Sequence, residues 1–293
     1  MDATTIYEKV REHYSAASGN TSAKYGEAVA KSFGYTEEEL ANIPDGANLG
    51  LSCGNPLAIA TLREGETVVD LGSGAGFDIF LAAPKVGPSG RAIGVDMNDD
   101  MLARANKIKA SKKDAENITF IKGVITAIPL ESSIADCIIS NCVINLVPES
   151  EKALVFKEMH RILKPGGRVA VSDILAKQPL PDQLRNDITM YVGCIAGASQ
   201  LLEYEKYLND AGFGEIIIAD THADLNVYLD TNEDGTNKSD CCAPAASTAT
   251  SCGDSSNPAA SCCGPVSSTA AKTPKTVDLN EWVGSYKIYA VKN

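Results

Sequence analysis

The chain has 293 residues, 44% hydrophobic and 22% charged, which suits one globular domain or one domain with a modest appendage. Its 38 acidic residues outnumber 26 basic ones, and the formal charge of −12 repels phosphate backbones and anionic lipid, excluding nucleic acid and membrane surfaces as natural partners. No basic cap with an apolar run opens the chain and no apolar stretch is long enough to span a bilayer. The expected location is therefore cytoplasmic and the expected state a monomer, with nine cysteines that are buried apolar residues, soft-metal ligands or redox-active thiols before they are a disulfide framework.

Residues 1–47 read as an N-terminal helical segment. Ile6, Val10 and Tyr14 recur every four residues, and Thr36 with Glu39 makes a capping box ahead of Leu40. From Glu66 the pattern becomes strand–helix alternation: "TVVDLGSG" is a strand running into a Gly-rich turn, "GFDIFLAA" starts a helix that Pro84 is expected to stop or kink, and "RAIGVDM" is the second strand. "NDDMLARANKIKA" is a helix capped by Asn98, "ITFIKG" the third strand, "ADCIISNCVINLV" the fourth and "EKALVFKEMHRIL" a helix. The turn Lys164-Pro165-Gly166-Gly167 precedes the fifth strand, "GRVAVSDIL". "PDQLRNDITMYVGCIAG" and "LLEYEKYLNDAG" read as helices, the second ending at Gly212, and "EIIIADTH" as the sixth strand. The core domain is thus expected over 48–224. Residues 225–277, rich in Asn, Asp, Ser, Ala, Pro and Thr, read as a flexible insert, and 278–293 as a final strand completing the core sheet.

The glycine loop carries the first functional signal. "VVDLGSGAG" sets Asp70, Gly72, Ser73, Gly74 and Gly76 at the carboxyl end of the first strand, where open α/β sheets bind ligands and where glycines admit close approach. The spacing G-x-G-x-G departs from the dinucleotide fingerprint, and Asp70 would repel a pyrophosphate while tolerating a cationic ligand without phosphate. Asp96 ends the second strand, where a carboxylate can take both hydroxyls of a ribose. Together these features describe S-adenosylmethionine; the plainer alternative is that both acids are turn residues of the sheet.

With D-x-G-x-G-x-G, an acid after the second strand and "LKPGG" before the fifth, the chain resembles the class I S-adenosylmethionine-dependent methyltransferases over roughly 48–222 and 280–293. The resemblance implies an α/β, Rossmann-like fold: a seven-stranded, mostly parallel sheet flanked by helices, its last strand antiparallel, with the Cys-rich insert falling before that strand.

Methylation of oxygen or nitrogen usually needs a positioned base. His13, His160 and His222 all lie away from the expected cofactor strand ends, and His160 reads as a half-buried helix residue. Soft thiols are the other chemistry present. Cys53, Cys142 and Cys194 fall on loops expected at the carboxyl side of the sheet, where three thiolates could hold a trivalent metalloid whose lone pair faces a methyl donor. Each alone could equally be a buried apolar residue, as Cys137 within the fourth strand is expected to be. The segments "ANLGLSCGNP", "DLGSGAGFD", "GVDMNDDML", "SNCVINL", "LKPGGRVAVSDI" and "YVGCIAGA" resemble the arsenite methyltransferases. That resemblance implies that Cys53, Cys142 and Cys194 bind arsenite or its thiol conjugates, that Asp70, Gly72, Ser73, Gly74, Gly76, Asp96, Met97, Val124, Ile125 and Asn141 hold S-adenosylmethionine, and that glutathione or thioredoxin serves as reductant.

The chain departs from that family in lacking a cysteine in "YSAASGNTSAKYG". Cys241, Cys242, Cys252, Cys262 and Cys263 of the insert are candidates to supply the missing thiols, by capturing arsenite or resolving a disulfide. Zinc fits them poorly, because C-x-x-C spacing and a nearby histidine are absent, and an inert linker is the competing reading. Two rival functions follow from the same residues: a methyltransferase acting on carbon or oxygen of a small organic acceptor, with structural cysteines, and a metalloid-binding protein without catalysis.

Overall fold

Apolar runs without a polar face, such as Val68-Val69 and Ile138-Ile139, demand strands covered on both sides, and these residues are fully buried. The computed structural model describes residues 2–20, 22–231 and 278–293; Cys241, Cys242, Cys252, Cys262 and Cys263, with the insert that holds them, lie outside the described residues. In chain order the elements are α1 (Ala3–Asn20), α2 (Ala23–Ser32), α3 (Glu37–Asn42), α4 (Leu57–Ala60), β1 (Thr67–Leu71), α5 (Phe77–Val86), β2 (Arg91–Asp96), α6 (Asp99–Ser111) and β3 (Ile118–Lys122). There follow β4 (Ala135–Asn141), α7 (Lys152–Ile162), β5 (Leu163–Ala176), α8 (Asp182–Arg185), α9 (Ile188–Val192), α10 (Leu201–Ala211), β6 (Phe213–Asp220), α11 (Val227–Asp230) and β7 (Val283–Lys292).

The seven strands form one sheet in the order β3-β2-β1-β4-β5-β7-β6. β1 to β5 are parallel, and β7 lies antiparallel between β5 and β6. Strand order reverses between β1 and β4, so a crevice opens beyond their carboxyl ends. Phe156, Met159, Tyr204 and Leu208 of α7 and α10 cover one face, and Ile79, Phe80, Met101 and Ile108 of α5 and α6 cover the other. A third apolar cluster caps the carboxyl end. It joins Ile6 and Val10 of α1 to Cys53, Cys142, Cys194, Tyr191 and Leu279, so the N-terminal helices are packed directly over the crevice.

The local signals hold at the caps. Thr36 and Glu39 form both halves of their capping box, Asn98 Oδ1 accepts from the Asp100 and Met101 amides, and Gly212 ends α10 in a left-handed conformation. Four expectations need correction. Pro84 sits inside α5, three residues before Gly87, so its missing N–H and ring cost only a last-turn bond and the helix runs on to Val86. The fourth strand stops at Asn141: Cys142 turns left-handed at φ 60° and a 3-10 turn, Ile144–Leu146, follows. The helix expected across 181–197 is two short ones, because Asp187 caps a new start by accepting from the Thr189 and Met190 amides. The Lys164–Gly167 turn lies within the span of β5, where it makes the register shift between Ala135 and Cys137 of β4.

Candidate functional site

The glycine loop is folded by its own backbone. Gly72 N and Ser73 N both donate to Val95 O, at 2.8 and 3.1 Å, and Gly76 N donates to Ser73 O at 2.8 Å. Gly72, Gly74 and Gly76 all have positive φ, at 72°, 51° and 90°, which a side chain would strain. Asp96 fastens the loop to β2: Oδ2 accepts from Gly74 N and Oδ1 from Asn98 N, both at 2.8 Å. Asn98 in turn donates to Arg11 O at 3.1 Å and so joins α1 to the site.

Asp70, Gly72, Ser73, Gly74, Asp96, Met97, Val124, Ile125, Asn141 and Cys142 line a single cleft under α1. Gly76 does not line it. A Cβ there would lie 2.6 Å from Phe120 Cζ and 2.9 Å from Phe80, so its lack of a side chain serves packing beneath the loop. A Cβ on Gly74, by contrast, would meet only Met101 Sδ, at 3.9 Å, which leaves space for a ligand against the backbone.

Two polar groups in the cleft lack partners among the described residues. Asp70 is 2% exposed, no donor among the described residues reaches its carboxylate, and burial, then Asp78 and Asp96, push its pKa well up. Ser73 Oγ is buried with no hydrogen bond. A carboxylate held this way favours a cation beside it. Asp78 and Tyr35 were not singled out by sequence, since an acid in a first helical turn reads as a dipole partner. Tyr35 OH donates to Asp78 Oδ1 at 2.6 Å and Asn141 Nδ2 donates to Oδ2 at 3.1 Å, and burial nonetheless raises Asp78 to about 6.

Behind this cleft lie the thiols. Cys53 and Cys142, 89 residues apart, are joined as a disulfide with their Cα atoms 5.8 Å apart. Asn141 Oδ1 accepts from Cys53 N at 3.1 Å, Ser285 Oγ donates to Cys53 O at 2.6 Å, and Cys142 N donates to Ser172 O at 2.9 Å. The Cys194 thiol donates to Cys142 O at 2.6 Å and lies 3.9 Å from Tyr14 OH; burial first, then Asp173, pushes it up. Cys142 and Cys194 both sit at positive φ, 60° and 65°, a conformation that non-glycine residues adopt chiefly where the surroundings impose it. All three sulfur residues belong to one apolar cluster, though only Cys142 lines the cleft. Cys137 is separate, buried in the core against β1, and desolvation raises it to about 12. None of His13, His160 and His222 lines the cleft.

A buried polar group backs the thiols. Asn145 Nδ2 faces three acceptors, Asp173 Oδ1 at 2.9 Å, Ile174 O at 2.6 Å and Cys194 O at 3.2 Å, and so ties β5 to the Cys194 loop. Lys152 is 2% exposed, donates to Gly197 O and Ser199 Oγ, and is lowered to about 8 by burial. Asp173 is raised to about 7 by burial, with Lys152 opposing the rise.

Comparison with known proteins agrees with this architecture. A family described as methyltransferase domain matches residues 62–212. An arsenite methyltransferase of Halobacterium salinarum is 45% identical over 208 residues, 67% of this chain and 52% of that protein. One of Homo sapiens is 30% identical over 221 residues, 72% of this chain and 57% of that one, so the chain spans about half the length of these relatives. The crystal structure of an arsenic(III) S-adenosylmethionine methyltransferase from Chlamydomonas reinhardtii matches with a TM-score of 0.54 at 25% identity, over 94% of this chain and 75% of that one. Haemonchus contortus phosphoethanolamine N-methyltransferase 2, at 18% identity and a TM-score of 0.54 over 91% of this chain and 56% of that one, shares the fold. Seven strands in this order, with the glycine loop at the switch point, and the family match over 62–212 lead to one conclusion: the chain belongs to the methyltransferase-domain family and has the class I methyltransferase fold.

Proposed function

We propose that the protein methylates trivalent arsenic held by Cys53, Cys142 and Cys194, using S-adenosylmethionine bound in the Asp70–Asp96 cleft. The observation that carries this reading is that Cys53, Cys142 and Cys194, from three distant points of the chain, belong to one buried apolar cluster at the edge of that cleft, with no histidine among the cluster's described members. The named relatives agree with it.

The cleft fits the donor on its own terms. Asp96 offers acceptors to a ribose, Met97, Val124 and Ile125 offer apolar surface to a base, the unpaired carboxylate of Asp70 suits a positive charge, and Gly74 leaves its backbone open. S-adenosylmethionine, when bound, supplies an electrophilic methyl carbon on a sulfonium. This chain's part is to hold the acceptor in line. A small thiol first reduces the Cys53–Cys142 disulfide, two thiols giving one external disulfide. Three protein thiols then displace three hydroxyls of arsenous acid as water, which leaves an arsenic lone pair and no proton to remove, so a histidine base is dispensable. After methyl transfer the arsenic is pentavalent. Cys53 and Cys142 can return two electrons to it by closing their disulfide, the state seen here. In this reading glutathione or thioredoxin is the reductant, the protein acts as a cytoplasmic monomer, and the cysteines of 241–263 feed or reset the centre.

The test is arsenic speciation after incubation of the purified protein with S-adenosylmethionine, glutathione and arsenite. Methylated arsenic is expected from the wild type and none above background from Cys142→Ser. Methylation surviving Cys142→Ser, or no methylated arsenic from a protein that binds S-adenosylmethionine, would overturn the reading.

A further inference from the structure

The thiol centre contains a second donor set that does not use Cys194. Cys53, Cys142 and Asp173 place one ligand atom each within 4.8 Å of one another, and all three residues are buried. We propose that the reduced protein binds a thiophilic divalent cation, zinc or cadmium, through Cys53 Sγ, Cys142 Sγ and an Asp173 oxygen, with the fourth position open to the cleft that Cys142 lines.

The donor chemistry separates this occupant from arsenite. Two thiolates, one carboxylate and an open position make a four-coordinate site of the kind zinc accepts, whereas trivalent arsenic is satisfied by three sulfurs and gains little from a carboxylate oxygen. Asp173 is therefore the cation's ligand and Cys194 the metalloid's, with two sulfurs in common. Charge also balances: two thiolates and a carboxylate carry −3, the cation +2 and the buried Lys152 ammonium +1, so the desolvated cluster is neutral. The carboxylate is already oriented. Asn145 Nδ2 donates to Asp173 Oδ1 at 2.9 Å, Ile174 N donates to the same oxygen at 3.0 Å, and Tyr204 OH donates to Oδ2 at 3.3 Å. The disulfide must first be opened. A trialkylphosphine with one water yields two thiols and the phosphine oxide, and the cation then displaces both thiol protons to solvent. Because the sulfurs are shared, the cation excludes arsenite.

The site rests on donor geometry and is independent of the methyl-transfer reading. The test titrates cadmium into phosphine-reduced full-length protein and follows thiolate-to-cadmium charge-transfer absorption. One equivalent should bind to the reduced protein, and the unreduced protein should show no such band from this centre. Because Cys137, Cys194 and the cysteines of 241–263 are further thiols, the titration uses a background in which those seven are serine. In that background Asp173→Asn should weaken binding about 10-fold or more, while restoring Cys194 should change affinity by less than about 2-fold. Should Asp173→Asn fail to fold by circular dichroism, cadmium-edge X-ray absorption on the Asp173 protein with Cys194 restored decides. Two sulfurs with oxygen neighbours support the site. No one-equivalent binding, affinity unchanged in folded Asp173→Asn, or three sulfurs around cadmium would overturn it.

Discussion

Asp96 and Asp70 share a cleft but do different work. Asp96 is pinned by two backbone amides and keeps its remaining lone pairs for a ligand, whereas no donor among the described residues reaches Asp70. Replacing Asp96 with Asn removes half of its acceptor capacity and unseats Gly74 N. We expect Asp96→Asn to weaken S-adenosylmethionine binding by about 10- to 100-fold, roughly 1.5–3 kcal/mol, measured by calorimetry. Asp78 makes a prediction about pH. Its folded value is about 6 against 3.8 unfolded, so below 3.8 both states hold the proton. Between those values the unfolded state ionises first, and stability is lost as pH rises through about 6. The loss is on the order of 2–3 kcal/mol. Asp78→Asn cannot titrate, so its stability relative to wild type should improve between pH 4 and pH 7 in urea unfolding. A difference that stays flat with pH would show that Asp78 ionises freely in the folded protein.

At the scale of elements, the glycine loop separates binding from packing. Gly74→Ala should cost about 1 kcal/mol of stability from its φ alone and block the donor from the backbone. Gly76→Ala, whose Cβ strikes Phe120 and Phe80, should cost more stability, about 2–3 kcal/mol. Urea unfolding and cofactor titration on the two variants check this, and equal effects on both quantities would contradict it. Sequence named both glycines alike, because a motif records φ preference and not which way the absent side chain would point. The strands and caps were legible because their causes are local: unbroken apolar runs, the Thr36–Glu39 box, Asn98 and Gly212. The end of β4 was not. "CVINLV" continues as apolar as the strand before it, and the left-handed turn at Cys142 is imposed by packing among residues far away in sequence. The break at Asn186-Asp187 did leave a signal, a capping aspartate inside an apparent helix. Asp173 and Asp78 join the site through partners that lie in other elements, Asn145 and Tyr35, and no spacing rule reaches them.

At the scale of the molecule, one sheet carries the cofactor cleft at its β1–β4 switch point, and the apolar cap over its carboxyl end gathers the thiols. The sheet's last strand is reached only after residues 232–277, yet the chain is closed on either side of that stretch. Asn226 Nδ2 donates to Asp278 Oδ1 at 2.9 Å, Leu279 N to Asn226 Oδ1 at 3.0 Å, and Leu225 N to Asn280 Oδ1 at 2.9 Å. Replacing 232–277 with a short Gly-Ser linker should therefore leave the melting temperature within about 2 °C, and a larger fall would show that those residues help hold β7 in place. The central claim concerns three sulfurs and one arsenic. Arsenic K-edge X-ray absorption on reduced protein carrying one equivalent of arsenite, with all cysteines but Cys53, Cys142 and Cys194 changed to serine, tests it most directly. The account predicts three sulfur neighbours, falling to two in Cys194→Ser; two sulfurs with an oxygen in the parent protein would contradict it.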